Sequence, residues 1–267
     1  MYQKIFVLSL GLFMIAGGFL TAQTYENSPD AVKLIPEAIW AASTGGGFWQ
    51  TDVQITARTN GTEIHGAFFY GGGNARVVSY GVTLDQWQIF KANNILFFMG
   101  TIDTLYDYYN KVGTLILYAQ DSAHNFQVNA HTRHSSGYGK SFNGINNVMG
   151  QSLNSALQYG AIMNLSNDSD RRSSMACFNY SNNNITVRFY VMNHNGNYIG
   201  SYFTKTFTGS DFQAFDPFAE AGLTGNYNNH FVYMAYQSGS GNLFVIGASA
   251  NNTTNDPSAH TFLPWIE

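Results

Sequence analysis

Three groups of residues in this chain have the types and spacing to do chemistry. The first is Asp52, which follows Phe48 and Trp49 in the run GGGFWQTDVQI, residues 45–55. An aromatic wall raises a carboxyl pKa by desolvation, which is one way a general acid is made. A Thr-Asp pair entering a strand has a competing structural use, accepting backbone N–H bonds and fixing a turn. No second carboxylate lies near in sequence, so Phe48, Trp49, Thr51 and Asp52 are read as a structural corner. In that reading the glycines allow close approach, the two aromatics plug one end of a sandwich, and Asp52 ties down the turn.

His131 and His134 form the second group. Their i, i+3 spacing would bring two imidazoles together on a helix, but the alternation of Phe126, Val128 and Ala130 marks a strand, on which such residues point to opposite faces. The oxygens of NDSDRRSS, residues 167–174, lack the glycine and distal glutamate of a calcium-binding helix-loop-helix, and Arg171 and Arg172 oppose a cation, so that run reads as a charged solvent loop. No metal or other cofactor is expected.

Aromatics form the third group: Tyr106, Tyr108 and Tyr109 in TLYDYYNKVG, together with Trp87. Flat rings beside Asn and Asp stack on sugars while the amides bond hydroxyls, and the same surface serves a protein partner. Core and inter-domain packing is the competing reading for each ring.

Strands must position these groups, and the composition agrees with that. Aromatics make up 16% of the 267 residues, whereas charged residues make up only 10%, far below a typical share of about 25%. With a net charge of -4 and no basic stripe, nucleic acid and anionic membrane surfaces are not expected partners. Residues 1–22 read as a signal peptide, with an apolar run from Ile5 to about Leu20 and a cut after Ala22; a membrane anchor is the competing reading. A secreted or cell-surface product follows, with the periplasm as an alternative and no membrane insertion after cleavage. Cys177 is the single cysteine, so no intrachain disulfide forms, and its strand-like surroundings fit a small buried hydrophobe.

The chain also reads as a duplication. NGTEIHGAFFY (60–70) matches NNNITVRFYVM (182–192), VTLDQWQIF (82–90) matches FTGSDFQAF (207–215), and VGTLILYAQDSAHNFQVNAHTRH (112–134) matches NHFVYMAYQSGSGNLFVIGASANN (229–252), in the same order. Each copy alternates with period two between polar turns. One short helical crossover per copy is predicted, at NNILFFMG (93–100) and after Asp216-Pro217, where Gly222 supplies a stop.

The runs Ile35-Pro36-Glu37-Ala38, Gly46-Gly47-Phe48-Trp49-Gln50-Thr51-Asp52 and Phe262-Leu263-Pro264 resemble those of bacterial exported proteins, mostly uncharacterised, with tandem immunoglobulin-like β-sandwich units. The resemblance spans about residues 35–267 and implies a fold and an exported location, with no catalytic residues to carry over. The expected architecture is therefore all-β: two tandem immunoglobulin-like antiparallel β-sandwiches from an internal duplication, each with one short helical crossover. Residues 23–34 would be an N-terminal linker, 35–147 the first sandwich and 148–267 the second, joined near Asn146 to Leu157.

The expected function is a non-catalytic binding or adhesion module for glycans or a surface partner, since G-x-S-x-G, H-E-x-x-H and nucleotide-binding patterns are missing from the sequence. One alternative is a self-assembling filament or coat subunit. Another is a secreted hydrolase with a site between the units around Asp52 and His65.

Overall fold

The computed structural model describes residues 32–43, 46–71, 75–104, 106–120, 123–137, 139–143, 152–254 and 257–264. The leader expected over 1–22 and residues 146–151 of the expected join lie outside them. Short alternating segments become antiparallel strands throughout. The first half supplies β1 (Val32–Ala42), β2 (Phe48–Ala57), β3 (Thr62–Phe69), β4 (Ala75–Leu84), β5 (Ile89–Ala92), helix α1 (Ile95–Ile102), β6 (Lys111–Ala119), β7 (Phe126–His134) and β8 (Gly139–Asn143). The second supplies β9 (Ser152–Leu153), β10 (Tyr159–Asn167), β11 (Arg171–Asn179), β12 (Ile185–Met192), β13 (Phe203–Phe207), β14 (Phe212–Phe215), helix α2 (Pro217–Glu220), β15 (Tyr227–Gly239), β16 (Leu243–Asn251), β17 (Pro257–Thr261) and β18 (Leu263–Pro264).

In the first half one hydrogen-bonded path runs β4-β3-β6-β1-β2-β7-β8, with β5 on β2. β1 and β2 pair only from Trp40–Gln50 to Ala42–Phe48 and then diverge, so the path folds over on itself. The layer β4-β3-β6-β1 thus faces β5-β2-β7-β8, and Lys33 of β1 reaches across to within 5.6 Å of the Phe126 ring on β7. Phe68, Leu115 and Leu117 from one layer and Val53, Ile55 and Val128 from the other fill the space between. Helix α1 closes it with Ile95, Leu96 and Met99, started by Asn94, whose side chain accepts from Phe97 N at 3.1 Å.

In the second half the two sheets are β13-β12-β15-β10-β18 and β14-β11-β16-β17, with β9 on β16. Their shared core holds Ile162, Met175, Cys177, Val187, Phe189 and Val245. Asp216 caps α2 by accepting from Phe218 N at 2.8 Å, Pro217 occupies the first turn, and Gly222 at φ +71° ends the element in the left-handed region. Strand order recurs between the halves: 4-3-6-1 and 5-2-7-8 in the first become 13-12-15-10 and 14-11-16-17 in the second. This order differs from the A-B-E-D and C-F-G sheets of an immunoglobulin sandwich, where the first two strands are neighbours in one sheet. Here the first strand pairs with the sixth, and the second crosses to the opposite layer.

A buried hydroxyl pair holds each crossing. Where β2 leaves β1, Thr51 Oγ1 accepts from Ile39 N at 3.0 Å and lies 2.8 Å from Thr132 Oγ1, which donates to Glu37 O at 3.3 Å. Where β11 leaves β10, Ser173 Oγ accepts from Ser166 N at 2.8 Å, donates to Ser166 O at 2.7 Å, and lies 2.7 Å from Ser249 Oγ. The diverging edge would otherwise bury unpaired backbone groups.

The two sandwiches meet face to face. Val32, Leu34, Ala67, Phe69 and Ile116 on the outer side of β1, β3 and β6 pack on Ala176, Phe178, Phe212, Phe244 and Ile246 of β11, β14 and β16. The Phe69 and Phe178 rings lie 5.0 Å apart. Strands in this middle layer are buried on both faces, so TLILYA and MACFN read as continuous apolar runs, whereas β12 and β7 keep a clean alternation. The same layer takes residues 32–34 from the end of the expected 23–34 linker, whose residues 23–31 lie outside the described residues. β1 already begins at Val32, because Val32 and Leu34 are needed on its outer face.

Truncating Phe178 to alanine should cost about 3–5 kcal/mol, as for other fully buried aromatics. Urea unfolding checks it, and an unchanged midpoint would mean that this layer contributes little to stability.

Candidate functional site

Along β12, the side chains of Ile185, Val187, Phe189 and Val191 enter the core, which turns Arg188 and Tyr190 outward. Register pairs Tyr190 with Tyr233 of β15 and Ala161 of β10 with Tyr233, and Tyr159 lies opposite Ala235. The outer face of the β13-β12-β15-β10-β18 sheet therefore gathers tyrosines. Tyr159 and Tyr233 stack at 6.0 Å and 12°, and Tyr190 packs 5.9 Å from Tyr233.

The loop after β12 adds two more rings. A tight turn at Asn193–Asn197, with Gly196 at φ +79° and Asn193 Oδ1 accepting from Asn195 N and Asn197 N at 3.0 Å each, returns the chain over the sheet. It brings Tyr198 to 5.1 Å and Tyr202 to 5.9 Å from Tyr190, and leaves them 65% and 59% exposed. The Arg188 guanidinium lies 4.7 Å over Tyr202, and its Nη1 donates to the Tyr190 hydroxyl at 3.5 Å. That bond holds the guanidinium pKa above its ordinary value. Met163 and Leu263 extend the face as exposed apolar residues. Such a surface offers ring faces for C–H stacking, hydroxyls for hydrogen bonds and one fixed positive charge.

A separate cleft lies between the sandwiches, beside the corner of the first. It is a cleft of about 190 Å³ bounded by Glu37, Trp49 and Lys140 on one side and by Arg172, Ser174 and Ser249 on the other. Lys140 Nζ donates to Glu37 Oε2 at 2.8 Å, with both side chains largely buried. His260 Nε2 lies 3.2 Å from Ser249 Oγ, and its pKa is lowered by burial first and then by Lys140 and Arg171.

The residues singled out in the sequence are placed as follows. Tyr108 is 1% exposed, packed on Phe68 and Tyr106, with its hydroxyl donating to Asp103 Oδ2 at 3.1 Å, so its ring is core and not platform. Tyr106 is half-buried between Tyr70 and Tyr108. Tyr109 leans on Trp40 at 5.2 Å and keeps an exposed edge. Trp87 is 62% exposed at a turn, with the Arg58 guanidinium 5.3 Å from its ring, and no ring contact joins it to the Tyr106–Tyr109 run among the described residues. These four do not form one surface.

At the corner, Phe48 is exposed rather than a plug, because the hairpin end where β1 and β2 pair projects past the core. Trp49 packs on His134 at 5.1 Å and lines the cleft instead. Thr51 is the buried corner hydroxyl described above. Asp52 Oδ1 accepts from Asn94 N at 2.9 Å and from Gln50 Nε2 at 2.7 Å, and Oδ2 accepts from Arg133 Nε. It fixes the approach to α1. His65 stacks on Tyr118 at 5.4 Å on the β3-β6 side that faces the second sandwich, so Asp52 and His65 belong to opposite layers and do not converge on one site.

His134 bonds Gly46 O at 2.9 Å and Ser136 Oγ at 2.7 Å, while His131 faces away from it on the strand. No cluster of His, Cys, Asp or Glu able to hold a metal occurs among the described residues. In the 167–174 run, Asp168 Oδ1 accepts from Asp170 N and Arg171 N at 2.8 Å each, making a turn that leads into β11 at Arg171. The expected solvent loop is therefore half strand. Cys177 is fully buried, and burial pushes its thiol pKa up. Among the described residues no helix is long and apolar enough to cross a membrane.

The tyrosine face escaped sequence reading although a signal existed. In ITVRFYVM and HFVYMAY, Tyr190 and Tyr233 stand at the outward positions of alternating strands. Their convergence with Tyr159, Tyr198 and Tyr202 needs the strand order.

No family model matches the chain, and no curated protein matches it. Among solved structures, the Pleurotus ostreatus lectin (POL) in its apo form is 10% identical over 86% of this chain and 82% of its own, at a TM-score of 0.23. A structure of infectious bursal disease virus Gt strain is 7% identical over 88% and 72%, at 0.18. Neither likeness reaches a shared fold.

Burial lowers the pKa of both His65 and His260 below the ordinary 6.5, and the Glu63 carboxylate opposes this only partly at His65. Both imidazoles are therefore held neutral when folded, and the unfolded chain takes up protons first on acidification. Stability from these two is complete above pH ~6.5 and is lost as pH falls through their lower folded values. Melting temperatures from pH 7.5 to 5 should fall less steeply in a His65→Gln, His260→Gln variant; parallel curves would assign the fall to carboxylates.

Proposed function

We propose that this chain is a non-catalytic, exported binding module that recognises glycans through the tyrosine face of the β13-β12-β15-β10-β18 sheet. The observation that carries the proposal is the exposed cluster of Tyr159, Tyr233, Tyr190, Tyr198 and Tyr202, with Tyr159 stacked on Tyr233, the other rings tilted by 39–47° about Tyr190, and Arg188 laid over Tyr202. Rings with two side-chain torsions lose little entropy on binding, and an open array of ring faces suits an extended saccharide better than a small enclosed substrate. The amide-rich, weakly charged surface of the chain fits the same use, and its leader-like first residues fit export. We take the recurring strand order and the two corner hydroxyl pairs to reflect one duplicated sandwich unit, immunoglobulin-like in packing two antiparallel sheets face to face though not in strand order.

One observation favours a second reading, self-association. The outer face of β1, β3 and β6 in the first half is covered by the second sandwich, while the corresponding face of β10, β12 and β15 is open. A second copy would cover that face in a filament or coat.

Binding to immobilised polysaccharides, followed by affinity electrophoresis, tests the first reading. Tyr190→Ala and Tyr202→Ala should each weaken retention by about 3- to 10-fold, the worth of one aromatic stack, with melting temperature within a degree or two. Retention that both variants leave unchanged would remove this face from the function. Light scattering over a concentration series separates the second reading, since assembly abolished by Tyr198→Arg would make the face an interface between copies.

A further inference from the structure

We propose that the glycans recognised at the tyrosine face are acidic, with a carboxylate or sulfate group of the saccharide bound by Arg188; this rests on the glycan reading of that face. The charge of the sheet carries the inference. The chain has 16 aspartates and glutamates against 12 lysines and arginines, yet β10, β12, β13, β15 and β18 contain no acidic residue, and neither does the loop 193–202 that brings in Tyr198 and Tyr202. The only other lysine or arginine of these strands, Lys205, stands opposite the core-facing Val187, lies 4.6 Å from the Phe215 ring and donates to Glu220 Oε1 at 2.7 Å. Its charge is matched, and on the other side of the sheet. Arg188 forms no ion pair among the described residues. It is a guanidinium on an aromatic surface whose own strands offer it no carboxylate.

The contacts that the Arg188 side chain does make are with neutral groups. Its guanidinium lies 4.7 Å over the Tyr202 ring, and Nη1 donates to the Tyr190 hydroxyl at 3.5 Å, longer than the roughly 2.7–3.2 Å of a strong N–H···O bond. Nε is buried with no hydrogen-bond partner among the described residues, an uncommon state for a donor in a folded protein. The two tyrosines therefore orient the planar fork while leaving its charge and most of its five N–H donors unspent. A guanidinium held in this way matches the paired oxygens of a carboxylate or sulfate. Tyr190 and Tyr202 beside it supply ring faces for the sugar that carries the anion, and Thr204, exposed and opposite Arg188 on β13, adds a hydroxyl. A second copy docked by the same face is a poorer match, because it brings a second Arg188 and no acid. The missing acids also spare an anionic saccharide the repulsion it meets on the rest of this acidic chain.

The test is calorimetric titration of the full chain, in calcium-free buffer, with polygalacturonate, with its methyl-esterified form and with dextran sulfate. It is repeated on Arg188→Gln, Arg188→Lys and, as a control for net charge, Lys91→Gln on the first sandwich. We expect polygalacturonate to bind about tenfold or more tightly than its neutral ester, a gap that Arg188→Gln closes by weakening the acid form alone and that Lys91→Gln leaves in place. Arg188→Lys keeps the charge and loses the planar fork, so it should retain only part of the gap, and it reads out the same group if Arg188→Gln folds poorly. Arg188-dependent binding of either polyanion supports the proposal, and the two arms tell carboxylate from sulfate. Equal binding of acid and ester with no Arg188-dependent binding of dextran sulfate, a preference that both Arg188 variants leave intact, or no binding of any of the three would each overturn it. The glycan reading is decided separately, by whether Tyr190→Ala and Tyr202→Ala weaken retention on polysaccharides of any charge.

Discussion

The apolar layer between the sandwiches is the constraint on which the rest depends. Phe69, Ile116, Phe178, Phe244 and Ile246 turn two sheets that could each have faced water into an inner pair buried on both sides. At roughly 25 cal/mol for each Å² of apolar surface removed from water, such a layer is a major stabilising term for a chain with a single cysteine and few charges. It also accounts for the absence of alternation in the strands that form it, because a strand buried on both faces has no polar side to show.

Burial on both sides sets a problem at the corners. Where β2 peels away from β1, and where the chain passes from β10 in one sheet to β11 in the other, backbone groups are left between the layers, and unpaired amides and carbonyls there would be costly. Thr51 with Thr132, and Ser173 with Ser249, fill these gaps with short side chains that bond each other between neighbouring strands of one sheet and reach backbone of the strand in the other layer. The Thr-Asp run after Phe48-Trp49 thus divides its work. Thr51 closes the corner, and Asp52 reaches on to the amide of Asn94 ahead of α1.

The two halves use different faces for their mutual contact, and this asymmetry creates the candidate sites. The first half contributes the outer side of β1, β3 and β6, and the second contributes that of β11, β14 and β16. The corresponding face of the second half is left open with its tyrosines, and the rim of the contact, where serine and arginine replace phenylalanine, becomes the cleft. The tyrosine face belongs to the second sandwich alone and is open because that half docks by its other side, whereas the cleft has one wall from each half.

Local information carried a large part of this. Period-two alternation in ITVRFYVM and FQVNAHTRH set strands and their inner faces, Asp216-Pro217 set a capped helical turn, and the opposed directions of His131 and His134 followed from strand geometry, since each depends on neighbours along the chain. The burial of Tyr108, the exposure of Phe48, the separation of Asp52 from His65 and the meeting of five tyrosines depend on partners tens to a hundred residues away. By itself, then, the sequence determined the strands, their turns and the all-β class, because these answer to side-chain periodicity and backbone preference. Only the tertiary structure decided which aromatics are core and which form a surface, because exposure is set by what packs on the opposite face, and periodicity along one strand does not identify that partner.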